Sequence, residues 1–281
     1  MPNYKVQVIV PVYNSSKTLK KCLDCIQTQS YKLWQAILID DKSSDDSLDI
    51  LNTYASTDSR FVVVSAEKNG GSSAARNLAM ELLDSEYTAF LDSDDYWEQD
   101  MLEVLVAKAE KYSCDVVQCR FIYDFPGGRR FLPAGAFDED VFLEGKSLRK
   151  VYRKMMTGIN MNHVCMKLLR TSLIKELRFD TTLPTAEDLD FCVRAFKNAR
   201  SYFFSASVMY HYCRWENSVT GRGLPFRVRL NANRRVSRVM LGMLPHWGVD
   251  NLYYKVLTLM RPYIIVVSKV IRIIREKLLT K

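Results

Sequence analysis

Short apolar runs alternate with helix-length segments through the first half of the chain. The runs lie at residues 5–12, 35–39, 61–65, 87–91 and 115–119. Strands that are apolar along their whole length are typical of parallel sheets covered on both faces. Strands that alternate with helices of about ten residues indicate successive βαβ units. The pattern therefore predicts an α/β fold, with a mostly parallel sheet flanked by helices.

Length and composition are those of a globular protein. The chain has 281 residues with a hydrophobic share of 48%, enough for one large core and an extension. No charged segment followed by an apolar run opens the chain, which predicts a cytosolic protein. The seven cysteines are an odd number and predict no disulfide framework. Cys22 and Cys25 have no second pair at zinc spacing, so we expect buried thiols rather than a metal or redox pair.

The positive charge is concentrated at the end of the chain. The net charge is +8, and residues 222–281 contain thirteen Lys or Arg against Asp250 and Glu276, which leaves residues 1–221 slightly acidic. We therefore divide the chain into a body, residues 1–221, and a basic helical extension, residues 222–281. The boundary is expected near Gly221 and Gly223.

The extension is predicted to end in an amphipathic helix. Pro262 suits a first helical turn, and Lys269, Arg272 and Glu276 then align on one side of residues 263–279. These charges interrupt the apolar run before the ~20 residues that a membrane span needs. We expect the extension to lie on an anionic membrane surface, and a buried core helix is the alternative. The arginines of the extension lack the stacking aromatics of single-strand binders, so no nucleic acid is expected.

The fourth apolar run ends in three carboxylates, Asp92, Asp94 and Asp95. Open α/β sheets bind their ligands at the carboxyl ends of strands. Two carboxylates two positions apart in a turn can converge on one divalent ion and leave coordination positions for a diphosphate. The alternative is a solvated acidic turn that caps the following helix.

The other strand ends carry polar or glycine-rich clusters, at residues 11–14, 40–43 and 69–77. This succession, followed by residues 92–95 and by Glu187 and Asp188, resembles glycosyltransferase family 2, the inverting enzymes with the GT-A fold. The resemblance covers roughly residues 5–215 and departs at Lys42, where many relatives have glycine. It implies a GT-A catalytic domain within residues 1–221, which moves a sugar from a nucleoside diphosphate to a hydroxyl group, and UDP is the nucleoside diphosphate that we expect.

The resemblance also implies a donor site. Pro11, Tyr13 and Asp41 fall on positions that line a uridine in the family. Tyr13 offers an aromatic face, and a carboxylate at Asp41 reads the N–H of uracil well. Packing of Tyr13 and capping by Asp41 are the alternatives. Arg76 follows the glycine turn and is assigned to the diphosphate or the base, where its fixed charge is useful.

The three carboxylates at residues 92–95 match the metal-binding motif of the family. The resemblance implies Mn²⁺ or Mg²⁺, which neutralises the diphosphate as it leaves. Asp94 is our first ligand and Asp95 a further candidate. Asp92 is also a candidate metal ligand, and we expect it to act through water or the ribose.

Glu187 and Asp188 match the position of the catalytic base. Inverting transfer needs a carboxylate opposite the leaving group to take the acceptor proton. We assign Asp188 as the base, with Glu187 as its support or an acceptor contact. The alternative is a capping box, in which Thr185 is the N-cap and Asp188 reaches back to it.

The acceptor is assigned by analogy to the family. We expect a glycan or a lipid-linked oligosaccharide of bacterial surface polysaccharide synthesis, used by an enzyme that is peripheral on the inner face of the cell membrane. One alternative is a sugar-1-phosphate nucleotidyltransferase, but Tyr13, Asn14 and Ser15 stand where its glycine-rich triphosphate loop belongs. The other is a sugar-nucleotide-binding adaptor without activity, against which the complete set of carboxylates argues.

Overall fold

The computed structural model describes residues 4–157, 161–214 and 224–279, and it describes side chains up to residue 265. These residues contain ten strands: β1 Val6–Val12, β2 Trp34–Asp40, β3 Phe61–Ser65, β4 Tyr87–Phe90, β5 Tyr96–Trp97, β6 Val116–Asp124, β7 Arg130–Phe131, β8 Val141–Glu144, β9 Lys167–Arg170 and β10 Ser201–Cys213. They also contain eight α-helices: α1 Ser16–Gln27, α2 Ser47–Thr57, α3 Gly71–Met80, α4 Met101–Lys111, α5 Arg149–Thr157, α6 Glu187–Ala195, α7 Phe226–Met243 and α8 Leu252–Leu279.

The strands form one sheet in the order β3-β2-β1-β4-β9-β6-β10-β5, with β7 paired to β6 and β8 to β10. Strands β1 to β4 are mutually parallel, as are β6 and β10. Strand β9 lies antiparallel between β4 and β6, which gives β6 the direction of β4. The carboxyl ends of β1, β2, β4, β6 and β10 therefore share one edge of the sheet.

Burial explains why the apolar runs became strands of this sheet. Every residue of β1 is buried, as expected for a central strand covered on both faces. The buried positions of α1 follow helical spacing, at Leu19, Cys22, Leu23 and Ile26. The first four predicted runs agree with β1 to β4 within one residue at each end, whereas the fifth run, residues 115–119, continues to Asp124 in β6. All seven cysteines are free, and all but Cys25 are fully buried.

The alternative cap of α6 and the expected start of the last helix are wrong. Ala186, not Thr185, is the N-cap of α6, and it has a left-handed φ of 66° with no side-chain cap, so no capping box forms. Helix α8 begins at Leu252 and contains Pro262 in its interior. A proline there removes one helical hydrogen bond. Arg261 and Pro262 are both buried, and this packing holds the helix continuous across the proline.

The extension packs on the body through its buried side. Helix α7 packs on α6, and α8 packs on both α7 and α5. The ring of Trp247 stacks on Tyr152 with centroids 4.5 Å apart, and its Nε1 donates to the Phe196 carbonyl at 3.3 Å. The expected boundary near Gly221 and Gly223 lies outside the described residues. Within the described part of the chain, no helix is long and apolar enough to cross a membrane.

Candidate active site

One buried arginine joins the end of β4 to the start of α6. The side chain of Arg76, on α3, is only 4% exposed. Its Nη2 donates to Asp92 Oδ1 at 2.6 Å, and its Nη1 donates to Asp188 Oδ1 at 3.2 Å. These partners lie 16 and 112 positions away along the chain. The fold thus brings three of the predicted site residues into direct contact.

The neighbouring carboxylates keep Arg76 protonated. Burial acts to lower the pKa of Arg76, but the carboxylates of Asp188 and Asp92 raise that pKa well above its ordinary value. The arginine is therefore a permanent cation. It offsets part of the negative charge that Asp92 and Asp188 bring to the same edge of the sheet.

Asp94, the first predicted metal ligand, is a carboxylate with a raised pKa. Burial and the neighbouring charge of Asp92 raise the pKa of Asp94 to about 6. The turn that carries both residues is fixed by Ser93, whose Oγ lies 2.7 Å from Ser15 Oγ and whose carbonyl accepts from the Thr18 hydroxyl at 3.0 Å. A cation held between Asp92 and Asp94 would relieve their repulsion.

Asp95 turns the other way, into the core. Its Oδ1 accepts from the Cys213 amide at 2.7 Å, and its Oδ2 accepts from the Tyr210 hydroxyl. Burial, followed by the charges of Asp94 and Asp92, raises the pKa of Asp95 well above its ordinary value. The structure therefore gives Asp95 the role of holding the acidic turn against β10.

The donor set suits a metal that is shared with a ligand. Mg²⁺ and Mn²⁺ prefer carboxylate oxygens, and Mg²⁺ is commonly held by one or two of them together with substrate phosphates. Asp94 and Asp92 meet that requirement. No group of three or more potential metal ligands occurs in the described parts of the chain. The two carboxylates thus fit an ion that is shared with a diphosphate.

Asp41 anchors the glycine turn before α3. Its carboxylate accepts from the amides of Gly70 and Gly71 at 2.9 and 2.7 Å, and the residue is only 2% exposed. Gly71 has a φ of +81°, in the left-handed region that favours glycine. A Cβ on Gly70 would lie 2.6 Å from the Cβ of Ala74, so this position also requires glycine.

The other predicted donor residues lie beside this turn. Pro11 is buried within β1, and Tyr13, which follows the strand, is 51% exposed at the rim. Lys42 has a φ of 63°. That value explains why glycine suits this position in relatives. The turn around Lys42 is secured by the Ser44 amide, which donates to Asn14 Oδ1 at 2.8 Å.

Two carboxylates stand at the N-terminus of α6. Asp188 is fixed at both oxygens, because Oδ2 accepts from the Val164 amide at 3.3 Å while Oδ1 accepts from Arg76. Glu187 is the first helical residue, where the helix dipole favours negative charge. Burial and the charge of Asp188 nevertheless raise the pKa of Glu187 to about 7.

Comparison with known protein families identifies the family of this chain. The model of the family described as glycosyl transferase family 2 matches residues 7–178, more than half of the chain. The chain belongs to glycosyltransferase family 2. The resemblance read from the strand-end clusters is thereby confirmed.

Curated members of the family are similar over most of this chain. Glycosyltransferase GlyA of Streptococcus pneumoniae is 32% identical over 211 residues, which are 73% of this chain and 29% of that protein. The poly(ribitol-phosphate) beta-glucosyltransferase of Bacillus spizizenii is 32% identical over 213 residues, 74% of this chain and 32% of that protein. The chain thus spans about a third or less of these relatives.

Two solved structures share the fold of this chain. The crystal structure of S. aureus TarS in complex with UDP-GlcNAc matches with a TM-score of 0.69 at 24% identity, over 88% of this chain and 73% of that chain. A mannosyltransferase of Pyrobaculum calidifontis in complex with GDP-Man and Mn²⁺ matches with a TM-score of 0.57 at 16% identity, over 95% and 87% of the two chains. The predicted GT-A fold is confirmed.

The sequence motifs missed a group of aromatic residues that lies beside the acidic cluster. A cavity beside Asp92 is lined by the aromatic or imidazole rings of Phe121, His163 and Tyr212. The available signal was aromatic alternation at two strand ends, in Phe121 and Tyr123 and again in Tyr210 and Tyr212. Both strands end at the same edge as β4, so their aromatic residues border the acidic cluster.

Proposed function

We propose that this chain is an inverting glycosyltransferase, which moves one sugar from a nucleoside diphosphate to a hydroxyl of a glycan or lipid-linked oligosaccharide. The observation that carries the proposal is the contact of Arg76 with both Asp92 and Asp188. It brings the carboxylates of the donor side and of the base into one cluster. The similarity to the poly(ribitol-phosphate) beta-glucosyltransferase of Bacillus spizizenii supports a role in bacterial surface polysaccharide synthesis.

The donor we propose is a UDP-sugar. The exposed ring of Tyr13 offers a stacking surface, and Pro11 lies just before it at the end of β1. Asp41 uses one lone pair of each oxygen on the glycine amides, which leaves further lone pairs for the N–H of a base. The TarS structure in complex with UDP-GlcNAc is consistent with this choice.

Asp94 and Asp92 are the residues that we propose hold Mn²⁺ or Mg²⁺. When bound, the ion supplies positive charge to the departing diphosphate. Asp95 supports these two residues by holding the turn against Tyr210 and Cys213. Arg76 keeps Asp92 in place and adds a fixed cation at the inner side of the site.

Asp188 is the proposed base. A single in-line displacement requires a carboxylate that is held on the acceptor side of the anomeric carbon. The bonds from Arg76 and from the Val164 amide fix the orientation of Asp188. Glu187 is the second candidate, because a pKa of about 7 lies near the working pH of an intracellular reaction.

The test is transfer and hydrolysis of a panel of UDP-, GDP-, CMP- and dTDP-sugars, with and without Mn²⁺. We expect UDP-sugars to be used, Asp94→Asn to abolish the response to Mn²⁺, and Asp188→Asn to lower kcat by ~10²–10⁴-fold with little change in donor KM. Glu187→Gln should cost less. Glu81→Gln, an exposed acid outside the site, is the control. Full activity of Asp94→Asn and Asp188→Asn would refute the mechanism, and a larger loss in Glu187→Gln would make Glu187 the base.

We also propose that the extension, residues 222–281, binds the anionic inner face of the cell membrane. Helix α8 exposes large apolar side chains at helical spacing: Leu252, Val256, Leu259, Met260, Tyr263 and Ile264. Helix α7 beside it exposes basic side chains: Arg227, Arg234, Arg235 and Arg238. An apolar face bordered by cations is complementary to a surface of anionic lipid.

Sedimentation with vesicles tests this binding. The full chain should bind phosphatidylglycerol-containing vesicles and not pure phosphatidylcholine, and the binding should weaken with salt. The double change Leu259→Gln and Met260→Gln should lower the bound fraction severalfold. Leu33→Gln, which alters an exposed leucine of the body, is the matched control. Equal binding by both variants would exclude α8 as the membrane-binding face.

A further inference from the structure

A line of rings leads from the acidic cluster to the surface. The ring of His163, beside Asp92 in the cavity, lies 5.9 Å from Phe121 and 6.2 Å from Tyr212, measured between centroids. Tyr123 follows at 5.0 Å from Phe121 and 5.4 Å from Tyr212. Phe131 stacks on Tyr123 at 6.2 Å and is 57% exposed. We call His163, Phe121, Tyr212, Tyr123 and Phe131 the aromatic track.

Strand geometry produces the track. Phe121 and Tyr123 are two positions apart on β6, so their side chains share one face of the sheet. Tyr212 is the neighbour of Tyr123 on the parallel strand β10, and Phe131 on β7 is its antiparallel neighbour on the other side. The aromatic residues that alternate along β6 thus contact aromatic residues of β10 and β7.

Arg214 places a positive charge over the track. It follows β10, and its guanidinium carbon lies 4.8 Å from the ring centroid of Tyr123 and 5.0 Å from that of Tyr212. Its amide donates to the Asp124 carbonyl at 2.7 Å, which fixes the backbone. Arg130 nearby is paired with the Asp124 carboxylate at 3.0 Å. In contrast, no carboxylate of the described residues pairs with Arg214.

The inner end of the track lies beside the proposed base. His163 precedes Val164, whose amide donates to Asp188. The proposed donor residues lie on the far side of the acidic cluster, at the ends of β1 and β2, with β4 and β9 between them and the track. A molecule on the track would therefore approach Asp188 from the side opposite the nucleotide, as an acceptor must.

We propose that the aromatic track is the acceptor subsite and that it takes a glycan carrying a phosphate group close to the accepting sugar. The proposal rests on the proposed transferase function and names its substrate class. Sugar rings present C–H faces that pack on aromatic rings. The planar guanidinium of Arg214 suits a phosphate. A polyol-phosphate chain and a lipid-linked sugar diphosphate share this chemistry.

Calorimetric titration of the full chain, with UDP and Mn²⁺ present, tests the subsite. The probes are a ribitol-phosphate oligomer, undecyl-diphospho-N-acetylglucosamine, and undecyl N-acetylglucosaminide, which lacks phosphate. We expect one of the phosphate probes to bind at least ~10-fold more tightly than the neutral glycoside, because its phosphate can accept a charge-assisted hydrogen bond from Arg214. Which of the two binds identifies the source of the phosphate.

Variants of Arg214 and Phe131 test whether the preference for phosphate probes arises at the aromatic track. Arg214→Gln should remove the preference for phosphate, and Arg214→Lys should keep part of it, because lysine retains the charge without the planar fork. Phe131→Ala should weaken all probes that bind. The matched controls are Arg200→Gln, an exposed arginine at the opposite end of β10, and Leu132→Ala, the exposed neighbour of Phe131; neither should change probe binding.

Several results would overturn the proposal. They are failure of both phosphate probes to bind, equal binding of the neutral glycoside, and a preference that survives Arg214→Gln. A parallel titration with UDP separates this failure from that of the transferase function. Loss of UDP affinity in Arg214→Gln would assign the residue to the donor and would also overturn the acceptor subsite. If UDP binding and donor hydrolysis are normal but the track variants do not change probe binding, the acceptor proposal fails and the transferase proposal stands.

Discussion

Arg76 and Arg261 are both buried, with exposures of 4% and 1%, yet their surroundings are opposite. Arg76 lies between Asp92 and Asp188, whose charges raise its pKa despite burial. The Nε of Arg261 donates to the Met155 carbonyl at 3.3 Å, and its Nη1 donates to Asn233 Oδ1 at 3.0 Å. No carboxylate of the described residues pairs with it, and burial lowers the pKa of Arg261 to about 10.

The difference separates a buried cation that has two counter-charges from one that is held by neutral oxygens. Removing one member of a buried ion pair leaves an uncompensated charge and costs about 3–5 kcal/mol. A buried cation held by neutral oxygens leaves no uncompensated charge when it is removed, so we expect an apolar side chain of similar length to replace it at a smaller cost. Arg76 therefore organises the candidate active site, whereas Arg261 connects α8 with α5 and α7.

Arg76→Met should have the largest effect. It leaves Asp92 and Asp188 without their shared cation, so we expect the free energy of unfolding to fall by about 3–5 kcal/mol and kcat/KM to fall by ~10³-fold or more. Urea unfolding and initial-rate measurements check the two numbers. Arg76→Lys keeps the charge but not the two-sided fork, and it should be intermediate. A methionine variant within tenfold of wild-type activity would contradict the role of Arg76.

A second change on Asp92 should restore stability without restoring activity. In the Arg76→Met, Asp92→Asn double variant, the carboxylate that lost its partner is neutral, so the coupling energy should be about 1–3 kcal/mol in a double-mutant cycle. Transfer should stay low, because the amide carries no charge for the metal or the arginine. Additive losses of stability would show that Arg76 and Asp92 contribute independently, and they would break the ion-pair account.

Glu187, which lies in the charge cluster around Arg76, should make both stability and activity depend on pH. Its folded pKa of about 7 is above its ordinary 4.5, so the folded state takes up the extra proton. This contribution to stability is fully present below pH 4.5 and is lost as the pH rises through 7. Ionised Glu187 adds negative charge where the acceptor proton arrives, so kcat/KM should fall by about threefold to tenfold from pH 8 to 6.

Glu187→Gln provides the check on that pH dependence. The variant should have a flat profile at the low-pH level of the wild type, and its stability relative to wild type should increase from pH 4.5 to 7. Initial rates in a constant-ionic-strength buffer series and urea unfolding at each pH supply both readouts. An acid limb near pH 7 that persists in the glutamine variant would show that another group titrates there.

Much of the body was predictable because its signals are local. The apolar runs and the polar clusters that follow them specify parallel strands, and parallel strands bring their carboxyl ends to one edge. Asp41, Asp92 and Asp94 could therefore be expected at a common rim. The predicted strand at residues 61–65 agrees with β3 at both ends.

The remaining features depend on distant contacts. A single sequence does not specify that Arg76 contacts Asp188, 112 positions later, instead of reaching solvent. The inward turn of Asp95 follows from Tyr210 and Cys213 on the far strand β10. The start of α8 was misjudged because Pro262 is a local signal for a helix beginning, and the buried packing of residues 261 and 262 outweighs it.

Arg261→Met should have the smallest effect. It tests whether a buried arginine without a carboxylate partner can be replaced at little cost. Methionine fills a similar length of the space between α5, α7 and α8, and no carboxylate of the described residues is left behind. We expect the free energy of unfolding to change by no more than about 1 kcal/mol in either direction, with transfer near wild type. Arg261→Ala, the control, should cost ~2–4 kcal/mol because it leaves a cavity. If methionine costs as much as it does at position 76, counter-charge does not explain the difference between the two arginines, and the hydrogen bonds to Met155 and Asn233 carry the stability instead.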